Sequence, residues 1–130
     1  MRHIWLMGVL AGLSGCVEAP AQTGAEIYAA YCAACHGPGG RGEGIIAAEL
    51  PVGPPDLTRL AAGNDGIFPT ARVIEKIYGY PGDYPLQVMP EFGPLLTGPA
   101  VRWSDEGGAE ITTTRAMRQL HDYLVSIQTQ

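Results

Sequence analysis

The sequence predicts an all-α domain of about three to five short helices joined by long loops. Three observations predict it. Apolar residues recur at helical spacing, and no stretch alternates apolar with polar residues convincingly enough to read as a strand. The 130-residue chain carries 18 glycines and 11 prolines, which favours long loops and short helices over a sheet. A C-x-x-C-H motif, Cys32-Ala33-Ala34-Cys35-His36, explains how such a loop-rich chain stays ordered: a large apolar cofactor adds core that the residues do not provide.

The motif's spacing carries its chemistry. Cys32 and Cys35 stand about one helical turn apart, so each thiol can add to one vinyl group of a haem. His36 then lies where its imidazole can ligate the iron. The expected cofactor is one covalent haem c with its iron, attached through Cys32 and Cys35 and ligated by His36. A thioredoxin-like pair would need a βαβ pattern around it, and a zinc site would need a further C-x-x-C or histidine pair; the sequence offers neither. Apolar residues make up 46% of the chain, and the formal net charge is −5 with no basic run. Nucleic acid is therefore not expected as a partner.

Residues 1–15 read as a secretory signal. Arg2 and His3 precede an apolar run from Ile4 to Leu13, too short to span a bilayer of about 30 Å. Export suits the haem motif, because bacterial c-type haem is attached outside the cytoplasm. Leu13-Ser14-Gly15-Cys16 resembles the bacterial lipoprotein signal, with Cys16 as the lipidated first residue, and this accounts for the odd cysteine. Ala19-Pro20-Ala21 is a competing cleavage site that would remove residues 1–21 and release a soluble protein. The expected organisation is a signal at 1–15, a tether at 16–22 and one domain at 23–130, exported to the periplasmic side and lipid-anchored to a membrane.

Along the domain, Thr23 to Glu26 matches a capping box, and a helix is expected from there to about Cys35, with Ile27, Tyr28 and Tyr31 on one face. Gly37-Pro38-Gly39-Gly40 ends it. The Gly/Pro-rich loop that follows lacks the context of a phosphate cradle; Arg41 within it reads as a solvated loop arginine, with contact to a haem propionate as the lesser alternative. Asp56 is an N-cap for a short helix to Ala62, with Gly63 beyond its end. A further helix runs from Thr70 to Tyr78, with Val73, Ile74 and Ile77 as its apolar stripe and Gly79 closing it. Arg72 and Lys76, an i, i+4 pair on the other side of that helix, read as a solvated face, with contact to a haem propionate as the lesser alternative. No regular element is expected between Tyr80 and Pro99, and the segment from Ser104 to Glu110 is polar and acidic. The last helix is expected from about Thr113 to Gln128, with Met117, Leu120, Leu124 and Ile127 on one face and Tyr123 beside it.

A second axial ligand would commit the haem to electron transfer. Met89, Met117, His121 and Lys76 are the available residues. Met117 belongs to the apolar face of the last helix, and His121 reads as a boundary residue there. Met89 has no helical face to serve. It sits in a loop stiffened by Pro85, Pro90 and Pro94, which can hold a thioether at low entropic cost. Met89 is the expected ligand.

These parts together resemble class I cytochromes c over about residues 23–128: a first helix with Gly24 and Tyr28 that ends in Cys32-Ala33-Ala34-Cys35-His36, a methionine loop at Met89, and a closing helix with the aromatic Tyr123. The resemblance implies the small all-α fold of that family, with the first and last helices crossing. It also implies that the Pro55 carbonyl accepts the His36 N–H. The long acidic segment between Met89 and the last helix departs from the family pattern. The implied function is a one-electron carrier, not an enzyme, in a bacterial periplasmic chain. Its partners would be membrane-bound redox proteins such as a reductase, oxidase or dehydrogenase. Two alternatives stay open: a peroxidase-like or ligand-binding haem protein with a labile sixth site, and a fixed electron-entry subunit of a larger complex.

Overall fold

The structure is a computed structural model that describes residues 21–79 and 88–129. The signal, Cys16, most of the tether and Pro85 lie outside the described residues. Thr23 opens helix α1 (Gly24–Tyr31) with the capping box that the sequence predicts. Thr23 Oγ1 accepts from the Glu26 N–H, and Glu26 Oε2 accepts from the Thr23 N–H at 2.7 Å. The single helix expected through Cys35 is divided. α1 stops at Tyr31, Cys32 takes φ −114°, and a short helix α2 spans Ala33–His36. The His36 N–H still donates to the Cys32 carbonyl at 2.9 Å, so the motif keeps its one-turn geometry. Gly37, at φ +79°, ends it in a conformation that side chains disfavour.

A 3-10 turn at Ala47–Glu49 punctuates the following loop, and a second spans Leu57–Arg59. Asp56 caps the second turn, as expected, accepting from the Thr58 N–H at 2.9 Å. The helix expected to continue to Ala62 does not form; turns carry the chain from Leu60 to Gly66. Helix α3 (Thr70–Tyr78) has the expected bounds and buries Ile74 and Ile77. A 3-10 turn at Gly93–Leu95 lies where no regular element was expected.

The all-α expectation needs a correction. Strands β1 (Ala100–Ser104) and β2 (Glu110–Thr114) form an antiparallel hairpin with Val101 opposite Thr113 and Trp103 opposite Ile111. Val101, Trp103, Ile111 and Thr113 turn inward, while Arg102, Ser104, Glu110 and Thr112 are exposed. The β-branched run Ile111-Thr112-Thr113-Thr114 suits a strand because its χ1 angles are stiff. Asp105 Oδ1 accepts from the Ala109 N–H at 2.8 Å and Gly108 sits at φ +80°, which closes the turn. Each strand has only five residues, too few for alternation to stand out from the acidic turn between them.

Helix α4 (Arg115–Ser126) is capped by Thr114, whose Oγ1 accepts from the Met117 N–H. It starts later and ends earlier than expected, because the residues before Thr114 belong to β2. α4 crosses α1, and Gly24 makes the crossing close: a Cβ there would lie 2.0 Å from the Gln119 carbonyl oxygen. Ile27 and Tyr28 pack against Met117, Leu120 and Leu124, all buried, and the Tyr28 ring meets the Tyr123 ring at a 45° tilt with centroids 5.1 Å apart. His121 is not at the boundary. It is 6% exposed, its Nε2 is 3.1 Å from Thr70 Oγ1, and its Nδ1 is 3.0 Å from Asp122 Oδ1. This side chain ties α4 to the first residue of α3. Among the described residues, no helix is long and apolar enough to cross a membrane.

Candidate functional site

The glycine-rich stretch after α2 folds back over the motif. The Gly42 N–H donates to the His36 carbonyl at 2.8 Å, the Gly44 N–H to the Cys35 carbonyl at 3.1 Å, and the Leu57 N–H to the Gly40 carbonyl at 2.7 Å. Gly42 sits at φ +86°, and a Cβ on it would lie 2.3 Å from the Pro54 carbonyl oxygen. These contacts bring Pro55 to His36, whose Nδ1 is 3.3 Å from the Pro55 carbonyl oxygen. A carbonyl can only accept, so Nδ1 carries the proton and Nε2 keeps its lone pair. Burial holds the His36 imidazole below its usual pKa, against a smaller opposing effect of the Pro55 bond. The ring is therefore neutral, as a metal ligand must be.

A cavity of about 520 Å³ opens beside this histidine, within the size range of cofactor sites. Cys32, Cys35 and His36 border it from α2 and its N-cap. Leu50, Val52, Pro54 and Leu57 form a loop wall, Val73 and Ile77 come from α3, and Leu124 comes from α4. Val88, Met89, Pro90 and Phe92 complete the border. Their segment is anchored to the end of α3 by the Phe92 N–H, which donates to the Ile77 carbonyl at 2.9 Å.

Cys32 and Cys35 are not joined to each other by a disulfide. Burial, and secondarily the neighbouring Cys35, pushes the Cys32 thiol up to about 11. A thiol held protonated at neutral pH is a poor member of a disulfide-exchange pair, which depends on a thiolate. Among the described residues, no group of three His, Cys, Asp or Glu side chains comes together as a zinc site would require. An apolar cavity with two thiols, a neutral imidazole and a thioether on its border fits a c-type haem in shape and in donor chemistry.

Of the residues weighed as a second ligand, Met89 and Lys76 border the cavity and Met117 and His121 do not. Met117 is wholly buried core, and both ring nitrogens of His121 already have partners. Arg41 lies away from the cavity border, near enough to Asp56 to help depress that carboxyl. Sequence reasoning missed the loop wall at Leu50 and Val52. Arg72 and Lys76 are exposed, as a solvated face would be, and both also border the cavity; their positions next to Val73 and Ile77, which border it too, were the available signal.

A family model described as cytochrome C oxidase, cbb3-type, subunit III matches residues 19–103 of the chain. No curated protein and no solved structure matches it.

Proposed function

This chain belongs to the cytochrome c oxidase, cbb3-type, subunit III family, and we propose that it carries single electrons on one haem, bound through Cys32 and Cys35 and ligated by His36 and Met89. It is a c-type cytochrome, and its cofactor is a covalently bound haem c with iron. When bound, that haem supplies a reversible one-electron couple. The residues of this chain supply attachment, ligation and shelter. The Pro55 carbonyl orients the His36 ring and selects its tautomer. The Met89 thioether is neutral and soft, favours ferrous over ferric iron and so raises the reduction potential. The apolar wall keeps water from the ring.

One observation carries the reading: a single apolar cavity is bordered by both motif thiols, by His36 and, from more than fifty residues along the chain, by Met89. The finer assignment as a monohaem class I cytochrome is supported by the lone C-x-x-C-H in the sequence and by this methionine segment. The family's description favours a carrier held within a membrane-bound oxidase complex over a freely diffusing shuttle. A lipid on Cys16 would keep the domain at the periplasmic face of the membrane, within reach of such partners.

Met89→Ala tests the reading. The variant should lose the weak sulfur-to-ferric-iron absorption band and bind cyanide readily, while Met117→Leu, one core filler for another, should change neither. Wild-type ferric protein that lacks the band and takes up cyanide as fast as the variant would overturn the carrier in favour of a ligand-binding or peroxidase-like protein. Cys32→Ala with Cys35→Ala should leave no haem on the chain after denaturation; retained haem would refute attachment at this motif.

A further inference from the structure

We propose that Arg72 and Lys76 form the anion-binding edge of the cavity and hold the two propionate carboxylates of the haem, an inference that rests on the haem reading above. The chain contains 13 acidic and 8 basic side chains. Among the described residues, the cavity border holds two of the basic ones and none of the acidic ones. The two lie four residues apart on α3, so they stack on one side of the helix.

Their neighbours fix which way they face. Val73 and Ile77 follow them directly in sequence and border the same cavity. The helix therefore offers its apolar stripe and its cations to one space, with the aliphatic stems free to lie along the apolar wall while the charged ends stay at the exposed rim. Haem has the matching polarity, an apolar ring with a carboxylate-bearing edge. Cys32 and Cys35 anchor the edge that carries the vinyl groups, and the cations come from a separate element. Arg72 has no ion-pair partner among the described residues, and its planar fork suits a carboxylate held by two parallel hydrogen bonds.

The pairing has an electrical consequence. An unscreened carboxylate beside the ring stabilises ferric over ferrous iron and lowers the reduction potential. A cation against it offsets that effect and depresses the carboxylate's pKa by about one to three units. With both cations in place, the propionates stay ionised through the neutral range and the potential does not follow pH there.

Potentiometric titration of the holoprotein across about pH 5 to 8 tests this, after denaturation has shown that the haem is covalently retained; loss of haem at that step would refute the haem reading, not this one. The R72Q/K76Q variant should have a lower potential, and the midpoint of its pH dependence should rise by about one unit or more. Arg72→Lys should recover part of the shift. Arg102→Gln, which removes the same charge from the exposed face of the hairpin, should leave the pH profile unchanged. A double variant with the wild-type profile, or an Arg102→Gln profile that moves as far, would overturn the proposal. The wild-type protein gives a second reading: redox-difference infrared spectra should show no protonated propionate at neutral pH, and such a band would overturn it too.

Discussion

Gly24 and Glu26, two residues apart, act on the fold in different ways. Gly24 is buried where α1 crosses α4, and the obstacle to any side chain there is backbone, the Gln119 carbonyl at 2.0 Å and its carbon at 2.7 Å. Backbone cannot swing aside as a flexible side chain does. Gly24→Ala should therefore lower stability by about 1–3 kcal/mol or more, as overpacking does, measurable by denaturant titration of the holoprotein; an unchanged midpoint would show that the helices can separate without penalty. Glu26 is exposed and acts through charge. The backbone and hydroxyl of Thr23 donate to its carboxylate and hold it below the usual carboxylate range. A carboxyl depressed by folding contributes stability above its unfolded pKa, and that contribution fades as pH falls through the folded value. Melting curves of wild type and Glu26→Gln should differ at pH 6 to 7 and converge below about pH 4.

At the scale of the element, Thr114 ends β2 and caps α4. Its Oγ1 accepts from the Met117 N–H at 3.3 Å and donates to the Leu96 carbonyl at 2.6 Å. It joins the hairpin, the closing helix and the segment that follows the methionine. Thr114→Ala removes a helix cap and should cost about 1 kcal/mol, up to about 2, read as a lower melting temperature with the haem spectrum unchanged. The hairpin is further tied to the cavity's own helix by the hydroxyls of Tyr78 and Thr113, 2.8 Å apart. From the same inward face, the Trp103 ring centre lies 4.2 Å from the Arg118 guanidinium. The hairpin is thus packed on both α3 and α4, and the acidic segment that departs from the class I pattern is its turn.

At the scale of the whole molecule, a loop-rich chain is built around an apolar cavity. The cavity is bordered by Tyr31 at the end of α1, by α2, α3 and α4, and by two irregular segments. A bound group there would join parts of the chain that otherwise meet weakly, and loss of haem should loosen the whole domain. The placement of the domain in the cell is proposed from its N-terminus. Mass spectrometry of the mature protein should find acyl groups on Cys16. An unmodified N-terminus at Gln22 would establish cleavage after Ala21 and remove the lipid anchor from the proposal.

The sequence by itself determined the local features. The capping box at Thr23 and Glu26, the bounds of α3, the apolar face of α4 and the one-turn spacing of Cys32 and Cys35 each depend on residues within a few positions of one another. Their physics is that of a single helical turn. What only the tertiary structure decided are the features that need distant segments to meet. His121 reads as a boundary residue until Thr70, 51 positions away, supplies its partner. Arg72 and Lys76 are exposed as the sequence suggests, but only the meeting of the Cys35 and Met89 segments puts a cavity beside them. The hairpin forms because Trp103 and Ile111 find α4 to pack on, and five-residue strands have too little periodicity to announce that. Hydrogen bonding within a turn is written in neighbouring residues, whereas burial is a property of the assembled chain.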